Sequence, residues 1–188
     1  EEAPAGKMAL MGRIPGWGQK QGLPSDVYRL GSPRSDEYSF TVNGEIVSSE
    51  LKKGYVEINR NWNTNDEVEL VLPMPVRKVV ANDKVKNDQG KVALQRGPVV
   101  YCLEDKDNNN GWMFDNFIDA NAKVESKYEA DLLGGVVTLT LPGSKVEAEG
   151  QGTAIQPSTL KAIPYYTWNN RGKSNMLVWI PSQQDKAV

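Results

Sequence analysis

Apolar side chains recur at every second position through most of this chain, the period of a strand with one buried face. The clearest stretch is 91–104, KVALQRGPVVYCLE, where Val92 and Leu94, then Val99, Tyr101 and Leu103, flank Arg96-Gly97-Pro98. Pro98 has no backbone donor and fixes its own φ, so the segment predicts strand, corner, strand. Similar alternation, or runs rich in β-branched and aromatic residues, predicts strands at 8–13, 38–42, 54–58, 67–72 and 76–80. Further strands are expected at 91–95, 99–103, 122–128, 136–141, 160–163 and 176–180. Asn43-Gly44 is the strongest turn between them, because both residues tolerate the positive φ of a two-residue hairpin. Asn63-Thr64-Asn65-Asp66, Asp88-Gln89-Gly90 and Gly134-Gly135 supply others. Eleven prolines and seventeen glycines interrupt any sustained helical stripe. Only Ala130-Asp131-Leu132-Leu133 hints at a helical turn.

Many short strands with regular turn signals predict an all-β chain, a two-sheet antiparallel β-sandwich of jelly-roll type. We expect one sandwich domain over 1–188. Residues 18–36 read as a long loop, with Val27, Tyr28 and Leu30 as packing points. Residues 105–159, opened by the polar run DKDNNNG, read as an insertion or sub-lobe between strands of the main sandwich. A strand entered within a few residues of Glu1 reads as the cut edge of a longer protein.

At 188 residues the chain should bury roughly 70% of the surface its unfolded form exposes. Net charge is −2, with both signs interleaved, so no basic stripe points to nucleic acid. The basic pair Arg77-Lys78 reads as a solvated strand end. No apolar run reaches the roughly 20 residues of a membrane-spanning helix. The chain has no histidine and one cysteine, Cys102. Ser-His-Asp and Cys-His catalysis therefore cannot be assembled, nor can a zinc site of imidazoles and several thiolates.

The remaining candidates weigh chemistry against packing. Cys102 sits on an apolar strand with no histidine to deprotonate it, and reads as a small buried hydrophobe. Glu67 with Glu69, and Glu147 with Glu149, share strand faces at two-residue spacing. They read as surface decoration rather than the two facing acids of a glycosidase. Asp105, Asp107 and Asn109 have the spacing of calcium-loop oxygens but lack that loop's glycine and distal glutamate, so a polar turn is favoured. Tyr166, Trp168, Asn170 and Arg171, with Trp112, are the candidate carbohydrate contacts. Aromatic faces stack on sugars, and amides and guanidinium bind hydroxyls. The competing reading puts Tyr165, Tyr166 and Trp168 in the core, with Asn170 and Arg171 capping the next turn. Trp17, Trp62 and Trp179 read as core.

An ordered set of motifs resembles the C-terminal part of glycoside hydrolase family 127 and its relative family 146. The set begins with Arg13-Ile14-Pro15-Gly16-Trp17, Val42-Asn43-Gly44, Gly54-Tyr55-Val56, Arg60-Asn61-Trp62 and Leu72-Pro73-Met74-Pro75-Val76-Arg77. It continues with Val92-Ala93-Leu94-Gln95-Arg96-Gly97-Pro98, Tyr101-Cys102-Leu103-Glu104 and Asp131-Leu132-Leu133-Gly134-Gly135. It closes with the segment from Ala162-Ile163-Pro164 through Trp168-Asn169-Asn170-Arg171-Gly172, then Met176-Leu177-Val178-Trp179-Ile180. The resemblance implies β-L-arabinofuranosidases, in which β-sandwich material follows a helical toroid. It further implies a cysteine nucleophile on a zinc held by three cysteines and a glutamate, all in the helical part. The stretch between Glu104 and Leu160 is too short to hold a complete second sandwich.

These readings combine into one expectation. The chain is a non-catalytic C-terminal module of a glycoside hydrolase acting on arabinofuranosides, with no catalytic or metal residues of its own. Its partner is the helical catalytic domain of the same polypeptide, which would carry the zinc. Plant-type arabinose-containing glycans are a further partner by the same resemblance, and a periplasmic or secreted bacterial location follows by analogy. The alternatives are a carbohydrate-binding module and an autonomous two-carboxylate glycosidase.

Overall fold

The computed structural model describes residues 6–19, 25–31, 38–108 and 113–187. In chain order the strands are β1 (Gly6–Arg13), β2 (Tyr28–Leu30), β3 (Ser39–Val42), β4 (Glu45–Ile46), β5 (Leu51–Lys52) and β6 (Tyr55–Trp62). Next come β7 (Val68–Val71), β8 (Val76–Ala81), β9 (Lys91–Arg96), β10 (Val99–Glu104) and β11 (Asn116–Phe117). The last are β12 (Glu125–Glu129), β13 (Val136–Glu149), β14 (Gly152–Pro164), β15 (Met176–Leu177) and β16 (Ile180–Pro181). Their pairings are antiparallel, and the described residues contain no α-helix, so the all-β class holds. No described helix is long and apolar enough to cross a membrane.

Where one sandwich over 1–188 is expected, the chain divides into two compact units. The first comprises Glu1–Pro24 with Pro33–Pro75, and the second Ser25–Ser32 with Val76–Val188. The physical basis is two separate apolar clusters, one built only from residues before Pro73 and the other only from Val76 onward.

The first unit is a small sandwich of two three-stranded sheets, β1-β6-β5 and β4-β3-β7. Phe40 and Val42 from one sheet share a buried cluster with Val56, Ile58 and Trp62 from the other. The sheets approach closely at Gly12, where an added Cβ would lie 2.2 Å from Phe40 Cζ. Asn43 (φ 53°) and Gly44 (φ 80°) make the expected left-handed turn between β3 and β4. Asn43 also ties that turn to the start of β7. Its Nδ2 donates to Asp66 Oδ1 at 2.8 Å, and its Oδ1 accepts from the Glu67 amide at 2.8 Å. Trp62 is buried as expected, its indole N–H donating to the Met8 carbonyl at 2.9 Å, whereas Trp17 is half-buried.

The second unit is built on a sheet ordered β11-β13-β14-β10-β9-β8-β2. It forks in the middle: β9 pairs with β16 at Val92, while β10 pairs with β15 at Leu103. Leu94, Tyr101, Leu103, Leu139, Leu160 and Ile180 converge on its core.

Four local expectations change. The 18–36 segment contributes a strand, β2, whose Tyr28 ring lies 5.2 Å from the half-buried Trp179 ring. The 105–159 stretch is no separate lobe among the described residues, because β11 to β14 continue the sheet of β8 to β10. The 130–133 segment is a turn rather than helix, with Leu133, Gly134 and Gly135 all at positive φ. Lys78 is not a solvated end: its ammonium donates to the carbonyls of Ala120 and Ala122 at 2.6 Å each. Burial pulls its pKa down, and Asp119 opposes that.

Candidate functional site

The site residues expected near the C-terminal end gather beside β10, where the antiparallel β14 ends with Pro164 opposite Tyr101. On β10, Tyr101 and Leu103 face the core, and Cys102 and Glu104 point the other way. That second face is covered too, for all four residues are buried. Arg171 supplies the counter-charge. Its Nη2 donates to both Glu104 and Asp107, and its Nη1 donates to Asp107 Oδ1 at 2.9 Å. The two carboxylates hold the guanidinium charged by raising its pKa further, against the effect of burial.

Around this ion cluster the segments cross-link. Glu104 Oε1 accepts from the Asn169 amide at 3.3 Å. Lys106 Nζ donates to the carbonyls of Arg171 and Gly172. Asp105 accepts from Ser174 Oγ and from the Asn175 backbone and side-chain amides, and these bonds pull its pKa down, the Ser174 bond most. Asn108 is buried and acts as a strand partner in side-chain form. Its Nδ2 donates to the Glu104 and Lys161 carbonyls at 2.7 and 3.0 Å, and its Oδ1 accepts from the Lys161 amide at 2.9 Å.

Above the cluster a 3₁₀ turn, Tyr165–Thr167, follows Pro164. Thr167 is buried and donates from Oγ1 to the Pro164 carbonyl at 2.6 Å. Trp168 N donates to the Tyr165 carbonyl at 3.1 Å. The aromatic rings face outward: Tyr165 is 45% exposed, Tyr166 69% and Trp168 36%. The Tyr165 and Trp168 rings lie within 14° of parallel, with centroids 6.3 Å apart. The expectation that these rings fill the core therefore fails, and Asn170 and Arg171 do not cap the following turn as that reading has it. Asn170 Nδ2 donates to the Thr167 carbonyl at 3.2 Å, and Arg171 is spent on Glu104 and Asp107.

Of the five proposed carbohydrate contacts, Tyr166, Trp168, Asn170 and Arg171 share this corner, and Trp112 lies outside the described residues. Reading the sequence missed Glu104 and Asp107 as anchors. The available signal was Glu104 in phase with Cys102 on a strand of otherwise apolar residues, with an arginine after the aromatic run. Two of the three residues at calcium-loop spacing are held by protein partners. Asp105 is engaged by Ser174 and Asn175, Asp107 by Arg171, and Asn109 lies outside the described residues. Glu67, Glu69, Glu147 and Glu149 are all exposed, with Glu147 against Lys145 at 3.2 Å. Cys102 does not fit the implied zinc chemistry, which needs three thiolates. It is the chain's single cysteine, and its thiol is pushed up to about 12, chiefly by burial and then by Glu104 and Asp107, with Arg171 opposing.

Two family models match this chain. "Glycoside hydrolase family 127 C-terminal domain" covers residues 76–181, and "Beta-L-arabinofuranosidase, GH127 middle domain" covers residues 1–74. A non-reducing end β-L-arabinofuranosidase of Bifidobacterium longum is 36% identical in an alignment that covers 89% of this chain and 25% of that protein. Among solved structures, a GH127 β-arabinofuranosidase superposes with a TM-score of 0.90 at 32% identity, covering 97% of this chain and 29% of that one. A GH127 β-L-arabinofuranosidase from Geobacillus stearothermophilus T6 gives 0.77 at 38% identity, covering 94% and 27%. The chain thus spans between a quarter and a third of the length of each relative.

Proposed function

Since the chain belongs to glycoside hydrolase family 127, with residues 1–74 matching its middle domain and 76–181 its C-terminal domain, we propose that it is a non-catalytic module of an arabinofuranoside-cleaving enzyme. Its role is to pack against the helical domain of such an enzyme and support it. The observation that carries this reading is the state of the cluster at the end of β10. The single thiol is buried and held neutral across the physiological range, and the two carboxylates beside it are locked onto Arg171. The thiol and both carboxylates of this cluster are thus engaged in holding the fold.

Two measurements test the proposal. The 188-residue chain, incubated with aryl arabinofuranosides, is expected to give no turnover above buffer, and sustained turnover would overturn the reading. Mixed with the remaining three quarters of a family member, produced as a separate polypeptide, the chain is expected to co-elute as a complex. Failure of the two pieces to associate would remove the supporting role.

A further inference from the structure

The exposed aromatic turn lies outside the ion cluster just described, and its rings face solvent. Folding ordinarily buries large aromatic rings, because each removes much apolar surface from water. Here the order is reversed: Thr167 is inside, and Tyr165, Tyr166 and Trp168 are outside. The reversal is built in by the Thr167 hydroxyl bonded to the Pro164 carbonyl and the Trp168 amide bonded to the Tyr165 carbonyl. Beneath it, Arg171 fixes the following segment to Glu104 and Asp107, and Glu104 in turn accepts from the Asn169 amide. The rings therefore stand on a backbone already ordered, so a ligand stacking on them costs little further entropy.

The ring arrangement also matters. At 6.3 Å between centroids and 14° between planes, Tyr165 and Trp168 are offset-stacked, and both residues remain exposed. Stacked on each other, they hold a fixed arrangement beside Tyr166, which is 69% exposed. Two phenol hydroxyls, the indole and the exposed amide side chains of Asn169 and Asn170 surround the apolar faces with hydrogen-bonding groups. Apolar C–H faces ringed by hydroxyls are the matching surface of a sugar.

We propose that the turn at 165–168 is a stacking platform for arabinofuranose-containing oligosaccharides, with Tyr166 and Trp168 as its main contacts and Arg171 as a positioning residue beneath. The choice of sugar rests on the arabinofuranosidase reading above, whereas the platform itself rests on the rings.

The test is titration of the 188-residue chain with linear arabino-oligosaccharides, followed by tryptophan fluorescence and by calorimetry, with cello-oligosaccharides alongside. Saturable binding of the arabinose series is expected. Tyr166→Ala and Trp168→Ala should each weaken it about tenfold, the loss of roughly 1.4 kcal/mol of stacking, with an unchanged far-ultraviolet circular dichroism spectrum. Trp168→Phe should retain most of the calorimetric affinity. No saturable binding of any oligosaccharide, or binding that both alanine variants leave intact, would overturn the platform. Loss of association with the helical part of a family member in those variants, without glycan binding by the native chain, would overturn it in favour of a protein-docking face. Binding of the cello series alone would keep the platform and sink the arabinofuranose assignment. Turnover of aryl arabinofuranosides would defeat the non-catalytic reading and leave the platform to be judged by the two alanine variants.

Discussion

Arg171 stands between Glu104, whose side chain has no solvent exposure, and Asp107, whose side chain has little. Removing one partner of a buried pair leaves the other charge desolvated, which usually costs more than the pair contributes. Arg171→Ala is therefore expected to lower the stability of the second unit by about 3 kcal/mol, measured by chemical denaturation. Arg171→Lys should recover only part of it, because an ammonium cannot span both carboxylates as the planar guanidinium does. A loss below about 0.5 kcal/mol, the scale of an exposed pair, would show that solvent reaches the cluster. The sequence revealed the members of this cluster as separate motif residues, but not their pairing. Period-2 alternation says which face of β10 a residue occupies; it does not say that a second layer covers the other face. Nor does the sequence show that Tyr165, Tyr166 and Trp168 face outward. Their rings carry far more apolar surface than the Thr167 side chain, and the hydroxyl bond that draws Thr167 inward leaves no trace in composition.

Elements were more legible than residues. β3, β8, β9 and β10 lie within one residue of their expected bounds, and Asn43-Gly44 turns where its chemistry requires. The misses are strands held by pairing rather than burial. β13 and β14 run to Glu149 and from Gly152, well beyond the apolar stretches 136–141 and 160–163. Their outer halves are largely exposed, so strand pairing, including that with β11, extends the hairpin rather than burial. β2 was missed because three residues are too few to show a period. Close approach of two elements is equally silent in sequence, and Gly12 on β1 is the example. A Cβ there would overlap the Phe40 ring of the facing sheet. Gly12→Ala is thus expected to destabilise the first unit by about 1–3 kcal/mol, the range of overpacked cores. Phe40→Leu, itself destabilising, should make the second change less costly than the sum of the two. Strictly additive effects in that double-mutant cycle would mean that the ring moves aside freely.

Over the whole molecule, the sequence predicted one sandwich because it resolves strands without assigning them to cores. The prolines of Leu72-Pro73-Met74-Pro75 mark the boundary, and the two family models also part there, at 74 and 76. Yet the fold does not divide cleanly at that point, since β2 belongs with the second unit. It pairs along β8, with Tyr28 opposite Ala81 and Leu30 opposite Val79. The Gly31 amide donates to the Lys78 carbonyl at 2.8 Å, and the Asn82 amide to the Val27 carbonyl at 2.8 Å. A fragment of 76–188 alone leaves this edge of β8 open, which loses those bonds and offers a template for self-association. Fusing residues 25–32 ahead of Val76 through a short glycine-serine linker restores the strand, because Gly31 already lies beside Lys78. The fused fragment is expected to melt about 5 °C higher than 76–188, a shift that corresponds to roughly 1 kcal/mol in a domain of about 100 residues. It should also stay monomeric at concentrations where the shorter fragment associates. Equal melting temperatures and equal monomer content would mean that the second unit closes without β2, and that its folding boundary lies at Val76, where its family model begins.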